Sequence, residues 1–513
     1  MQLCDAIING SKAETRIVLH SLIADTDDAS AAEECLNQAV DTAALSKGID
    51  LNFNGAQRVH LVHLLAFYST LAQLERFLKL GLNPSVTDDR GRTALHYACQ
   101  SQRHRNLQQP SIWYSQSDSE NVKKVTYLLN LPCLKANAQD CDGDTPLHAA
   151  AVAGNYELME VLVKQHGSDV TLMRNNQGYT AMHAAAVLGH TDSVTALHAL
   201  IGDIDLPTST GETCLHLAAR HGKAPTVYDL CKMGANVEAR DDVTLTTPLL
   251  VACARGKYYA MDALIMAGAD VNARDAHGRT ALHMTVRNRR SRCFQTLIKQ
   301  TAVDVNDQDS DGDSALHLAA QCEANDYVWR LCHLRGASVN ALNKSHSSAL
   351  HLACREKRIG AVTTLLQHGA DTSVADDSGD TALHIASRLG HADIIKHLLL
   401  FMPIASVNMR NNVGQTALHV AVTHRQAASV ALLTSHATCD VIAQDADHRT
   451  ALRMLVMVYE PGTHHGSSCC CADDDSCSCY TAQTTTVAAI LRLLLRRSLP
   501  VVHARRRVCS LNN

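Results

Sequence analysis

An all-α solenoid of about twelve helix-turn-helix repeats is the fold this sequence predicts, and three observations predict it. The first is a recurring run, Thr-Ala-Leu-His and close variants. It starts at Thr93, Thr145, Thr180, Thr213, Thr247, Thr280, Ser314, Ser348, Thr381, Thr416 and Thr450. The steps between these are 52, 35, 33, 34, 33, 34, 34, 33, 35 and 34 residues. One period is kept throughout, apart from an insertion in the first step. The second observation is composition. Hydrophobic residues make up 46% of the 513 residues but aromatics only 4%, so Ala and Leu must do the packing. That suits thin, closely stacked helices better than a sandwich or barrel. The third is a fixed order of local signals between recurrences, which can be read element by element.

The unit 280–312 shows that order. Thr280 is a suitable N-cap, because its hydroxyl can accept from a free amide of the first turn. Pro follows the Thr in the units at Thr145 and Thr247, where a missing N–H costs nothing. Leu282 and the small residues after His283 point inward. A second helix carries Leu297 and Ile298 on its buried face. Gly marks the inter-helix turn in Leu188-Gly-His190 and Leu389-Gly-His391. A second Gly, as in Ala267-Gly268 or His368-Gly369, can take the positive φ that ends a helix. An Asp/Gly turn such as Asp275-Ala-His-Gly278 then projects a β-turn or hairpin tip and leads to the next Thr.

Before the array, residues 1–53 lack the run and read as an N-terminal helical cap. A degenerate first unit is marked by His60-Leu-Val-His63. The array is expected over 54–499, with polar loop insertions at 100–119 and 459–483, a helix from Thr484 to Arg497, and a basic tail at 500–513.

The chain resembles the ankyrin repeat family. The residues that carry the likeness are Asp144-Thr-Pro-Leu-His-Ala-Ala-Ala-Val-Ala-Gly154, Ala267-Gly-Ala-Asp-Val-Asn272 and Asp380-Thr-Ala-Leu-His-Ile-Ala386. The likeness covers most of the chain and implies an ankyrin-repeat solenoid. It also implies that the motif His bonds to backbone and to the motif Thr, as in Thr145/His148, Thr280/His283 and Thr381/His384. Leu250 and Arg453 stand where two units should have that His. Asparagines equivalent to Asn272 can be hydroxylated in similar proteins.

Charge and chemistry bound the function. The net charge is −5, but the stretch 484–513 holds six Arg and no acid, so the remainder carries −11. An acidic array with a basic tail is not the profile of a nucleic-acid binder. Thiols scattered singly at helix-interior sites, such as Cys99, Cys253, Cys332 and Cys354, read as reduced and intracellular. The N-terminus has no basic segment followed by an apolar run, and no apolar stretch reaches the ~18 residues of a membrane span. A location in the cytoplasm, or in the cytoplasm and nucleus, is expected.

No phosphate loop, metalloprotease or nucleophile-elbow pattern occurs, and no cofactor is implied. Asp307-Gln-Asp-Ser-Asp311-Gly312 imitates half of a calcium loop, but Leu318 stands where a bidentate Glu is needed. Cys469, Cys470, Cys471, Cys477 and Cys479 could ligate a soft metal or serve redox chemistry, although no Cys-x-x-Cys pair occurs. Arg287, Arg289, Arg290 and Arg292, and the Arg505–Arg507 run, are basic clusters whose default is solvated charge.

The leading reading is a non-enzymatic protein-interaction scaffold presenting a concave surface. Candidate contacts are Trp113, Tyr114, Asp142, Asp275, His277, Asp309, Asp311 and Asp377. The acidic tips Asp140, Asp142 and Asp144, then Asp307, Asp309, Asp311 and Asp313, then Asp376, Asp377 and Asp380, would form a negative ridge for a partner with a basic surface. Alternatives are an inhibitor or regulator of a transcription factor, a substrate receptor of a ubiquitin ligase, and a metal- or redox-responsive sensor using 469–479.

Overall fold

The structure is a computed structural model that describes residues 60–68, 71–79, 82–100, 118–323, 325–334, 336–458 and 487–497. The expected cap at 1–53, Trp113, Tyr114, the cysteines of 469–479 and the tail at 500–513 lie outside the described residues. The chain divides into two compact units, Met1–Asp270 and Val271–Asn513.

In the first unit the helices alternate in two layers. One layer is Leu61–Tyr68, Ala94–Cys99, Pro146–Ala153, Ala181–Leu188, Cys214–His221 and Pro248–Arg255. The other is Leu71–Lys79, Asp118–Leu129, Tyr156–His166, Thr191–Ile201, Ala224–Lys232 and Tyr258–Met266. The second unit repeats the scheme. Ala281–Arg287, Ala315–Gln321, Ala349–Arg355, Ala382–Leu389, Ala417–Thr423 and Ala451–Val458 are its first helices. Ser291–Leu297, Asn325–His333, Ile359–Gln367, Ala392–Phe401, Ala427–Ser435 and 487–497 are its second helices. No strand occurs among the described residues. Four tips are pinched by a single antiparallel bridge, Gln308 with Ser314 being the first.

The core follows from side-chain size. Ala149, Ala150 and Ala151 are buried in one first helix, so its neighbours can approach closely. Leu158, Met159 and Leu162 of the paired second helix fill the layer behind it. Each such Leu contributes ~1.5–3 kcal/mol on burial. In the second unit one apolar cluster runs from Leu282 to Leu494, and Ile490 and Leu494 place 487–497 in the last second-helix position.

One boundary differs from expectation: Asp118 and Ser119, assigned to the first insertion, open the helix Asp118–Leu129. The expected start of the final helix at Thr484 lies outside the described residues, which show helix over 487–497. The two 35-residue steps are absorbed as 3₁₀ turns, Ser168–Leu172 and Ile404–Asn408.

The motif histidines are the joints between repeats. In each unit that carries both the motif His and its Thr or Ser, His Nδ1 accepts the backbone N–H of that Thr or Ser, at 3.2 Å in His148 and 3.1 Å in His317. The Thr or Ser hydroxyl donates to the same nitrogen, at 2.9 and 2.8 Å. An accepting Nδ1 requires the tautomer with hydrogen on Nε2. That N–H donates across to the next tip, from His148 to the Tyr179 carbonyl at 2.9 Å and from His283 to the Asp313 carbonyl at 3.0 Å. His63, His183 and His351 instead reach a carbonyl 23 residues on, at Val86, Leu206 and Val374. Two carbonyls flank the base of a tip, and His351 interacts with both Val374 and Asp380. Leu250 fills the His position with a fully buried apolar side chain, and Thr247 keeps only the N-cap bond to Leu250 N–H.

Asparagines form a second ladder. Asn272, Asn306 and Asn408 each donate to a carbonyl in the next repeat and accept one of its amides; Asn306 bonds the Gly336 carbonyl at 2.6 Å and Ser338 N–H at 2.8 Å. Asn272 is therefore a structural bridge within its unit.

Left-handed backbone closes the remaining corners. Gly312 has φ 78°, and a Cβ there would stand 2.6 Å from Lys344 N. At three inter-helix turns the same conformation falls on Arg289, Lys357 and Arg425, with φ of 55–56°.

Three outcomes are expected. His317→Leu, imitating the natural Leu250, keeps the packing but orphans the Ser347 carbonyl and Ser314 amide; the urea midpoint should fall by an amount equivalent to ~1–3 kcal/mol. Burial lowers the pKa of every motif histidine, against the raising effect of its backbone bond, from 6.5 to about 4 for His63 and His183. The unfolded chain then binds more protons below pH 6.5, so stability is complete above that value and is lost as pH falls toward 4, measured as urea midpoint against pH. Gly312→Ala should lower the thermal midpoint, whereas Lys357→Gly should relieve ~1 kcal/mol of strain and raise it.

Candidate functional site

Within each unit the surface that varies between repeats is a row of tips, and its geometry starts from one side chain per tip. Asp309 Oδ1 accepts the N–H groups of Asp311 at 3.0 Å and Asp313 at 2.9 Å. The Asp309 amide donates to the Asp313 carbonyl, and Gly312 N–H donates back to the Asp309 carbonyl, both at 3.0 Å. Asp88, Asp140, Asn175, Asp275, Asn343, Asp376, Asn411 and Asp445 close their tips in the same way. Thr208 does so with its hydroxyl. These are Asx turns carried to their limit, with both amides of the loop tied to one oxygen.

This geometry engages two of the expected contact residues in their own tips. Asp275 is only 5% exposed; Oδ1 holds the amides of His277 and Arg279, and Oδ2 holds the Arg279 guanidinium at 2.9 Å. It is a joint residue that a partner cannot reach. Asp309 is half-buried and is spent on its own turn. Asp144, Asp313 and Asp380 leave the ridge as well, because Asn175, Asn343 and Asn411 donate to them from the following tip at 2.8 Å. The reason is common to all five. A carboxylate surrounded by unpaired amides gains more from accepting them than from solvent. In Asp88 and Asp445 burial alone would raise the pKa, yet backbone and Arg hydrogen bonds hold both below the usual carboxylate value.

Asp142, His277, Asp311 and Asp377 are exposed, as expected. Their carbonyls or amides nevertheless take part in staples between tips. In the first unit Cys141 N–H donates to the Arg90 carbonyl at 2.7 Å, Asn176 to Asp142 at 2.9 Å and Asp242 to Thr210 at 3.1 Å. In the second unit Ser310 donates to His277 at 2.8 Å, Lys344 to Asp311 at 3.1 Å and Asp377 to Ser345 at 3.2 Å. Side chains at these positions therefore project from a fixed backbone.

The row is less uniformly acidic than the sequence suggested. Asp142 lies 3.9 Å from Arg90, and Asp377 Oδ1 lies 2.6 Å from His346 Nδ1. Lys344 is exposed on the tip between Asp311 and Asp377. Turn spacing alone could not place these neighbours, since they are about 31–52 residues away in sequence.

The motif histidines Thr145/His148, Thr280/His283 and Thr381/His384 belong to the frame, with both ring nitrogens already engaged. Among the described residues no three His, Cys, Asp or Glu side chains converge as metal ligands, and the described cysteines are free thiols. No helix among the described residues is long and apolar enough to cross a membrane.

Comparison with known proteins agrees with this architecture. The family of ankyrin repeats (3 copies) matches residues 114–205, 193–275, 249–343, 321–411 and 350–445. Over 124 residues, 24% of this chain, the sequence is 40% identical to a transient receptor potential cation channel subfamily A member 1 homolog of Caenorhabditis elegans. That alignment spans 10% of the relative's own length. The matches cover residues 114–445 continuously, over the same stretch in which the helix pairs, histidine joints and tips repeat, and the chain belongs to the ankyrin repeat family.

Proposed function

We propose that the chain is a non-enzymatic scaffold or adaptor that binds other proteins through the rows of tips within its two units, preferring a partner with a basic surface. A role in protein–protein interaction is what ankyrin repeats support in general. The observation that carries the finer reading is the backbone staple between successive tips, because it presents Asp142, His277, Asp311 and Asp377 without further ordering cost. Asp142, Asp311 and Asp377 supply negative charge and His277 a ring that can donate or accept. In this reading Trp113 and Tyr114 are aromatic anchors for the same or a second partner. Cytoplasm or nucleus is the proposed setting. Regulation of a transcription factor and substrate reception for a ubiquitin ligase would use the same kind of surface and differ only in what is bound.

The test is affinity capture with the intact chain, set against Asp142→Lys/Asp311→Lys/Asp377→Lys. The expected result is loss of the captured partners with an unchanged thermal midpoint, and a wild-type interaction that weakens as salt rises. An unchanged set of partners would refute tip-mediated binding.

A further inference from the structure

We propose that a second surface, formed by His221, Lys223, Arg255 and Lys257 around the inter-helix turns of two adjacent repeats in the first unit, binds a short acidic segment of a partner protein. It differs from the tip row in place and in sign. No Asp or Glu occurs in 213–228 or in 243–261, the two stretches that build it. His221 and Arg255 are exposed at the last turns of their helices, a position that favours cations.

The lysines have no such structural reason. Lys223 and Lys257 are the N-caps of Ala224–Lys232 and Tyr258–Met266, where the positive end of the helix repels a cation. Their placement is also controlled. A Cβ on Gly189 would stand 2.8 Å from Lys223 Cδ, and one on Gly222 would stand 2.8 Å from Lys257 Cδ. Each aliphatic stem thus lies flat over a left-handed glycine of the preceding repeat. This shortens the reach of the ammonium and reduces the rotamer entropy lost on binding. Burial lowers the His221 pKa, and the charges acting on it, Arg220, Lys223, Lys257 and Arg255, are all cationic and lower it further. Arg220 is partly neutralised by its ion pair with Glu212, which leaves Lys223, Arg255 and Lys257 as the charged binding set, with the His221 ring as a hydrogen-bonding neighbour.

An acidic protein segment fits this patch better than nucleic acid. The cations span two repeats only, and exposed Asp142 and Asp242 stand on tips of the same unit, where they would repel a long phosphate backbone.

The test uses the full chain and a fluorescein-labelled hexaglutamate peptide, read by anisotropy at low salt. Lys223→Gln/Arg255→Gln/Lys257→Gln keeps much of each side chain and removes the charges. Binding should weaken by about tenfold or more in this variant, and not in the control Lys164→Gln/Lys299→Gln/Lys396→Gln. The tip variant Asp142→Lys/Asp311→Lys/Asp377→Lys should bind the peptide at least as well as wild type, which separates this surface from the tip reading. Equal binding by the two glutamine variants would overturn the proposal. So would stronger binding of a single-stranded oligonucleotide of equal charge, which would assign the patch to nucleic acid.

Discussion

Everything in this molecule depends on a neutral, buried histidine that bonds in two directions at once. Nδ1 closes the first turn of its own helix, and Nε2–H reaches the tip of the next repeat. A protonated ring would have to give up the first bond, and burial makes that charge expensive. The joint therefore fixes spacing and orientation between repeats through polar geometry, while Ala and Leu provide the bulk of the burial. Where Leu250 replaces the ring, packing continues and the directional bond is absent.

The tips inherit their order from that joint. Once the base of a tip is held, one Asx side chain satisfies its amides, and a backbone bond ties it to the neighbour. The recurrent acids of the sequence then separate into two populations. Those that begin or end a tip are consumed internally, and those in the middle face solvent. An exposed surface is left where the local hydrogen-bonding needs are already met. This is the physical reason a rigid repeat frame can present chemically different side chains at equivalent positions. The basic patch around Lys223 and Lys257 follows another logic, since it sits where helix electrostatics disfavours it and where glycines make room for flat-lying side chains.

Much of this was legible in the chain. The step of 33–35 residues between most motif starts gave the stacking, and Thr280 with His283 gave the helix start and its bonding partner. Gly at the inter-helix turns was readable where present, but Arg289, Lys357 and Arg425 take the same φ without any sequence signal. Asp275 and Asp309 close their own tips, which composition does not reveal because it shows a charge and not its hydrogen bonds. The Asn272, Asn306 and Asn408 bridges were visible as a repeated Asn, yet their role depends on the loop of the following repeat.

The sequence by itself determined the class of fold, the helix pairs and the places where tips project, because these depend on periodicity and on contacts within a few residues. The tertiary structure decided which carboxylates are exposed, how the tips are tied together and which cations from different repeats share a surface. Those outcomes rest on hydrogen bonds and charges about 30 residues apart in the chain, such as Asn411 to Asp380 and His283 to the Asp313 carbonyl. Only stacking brings such groups within 3 Å of one another, and no local pattern encodes the distance.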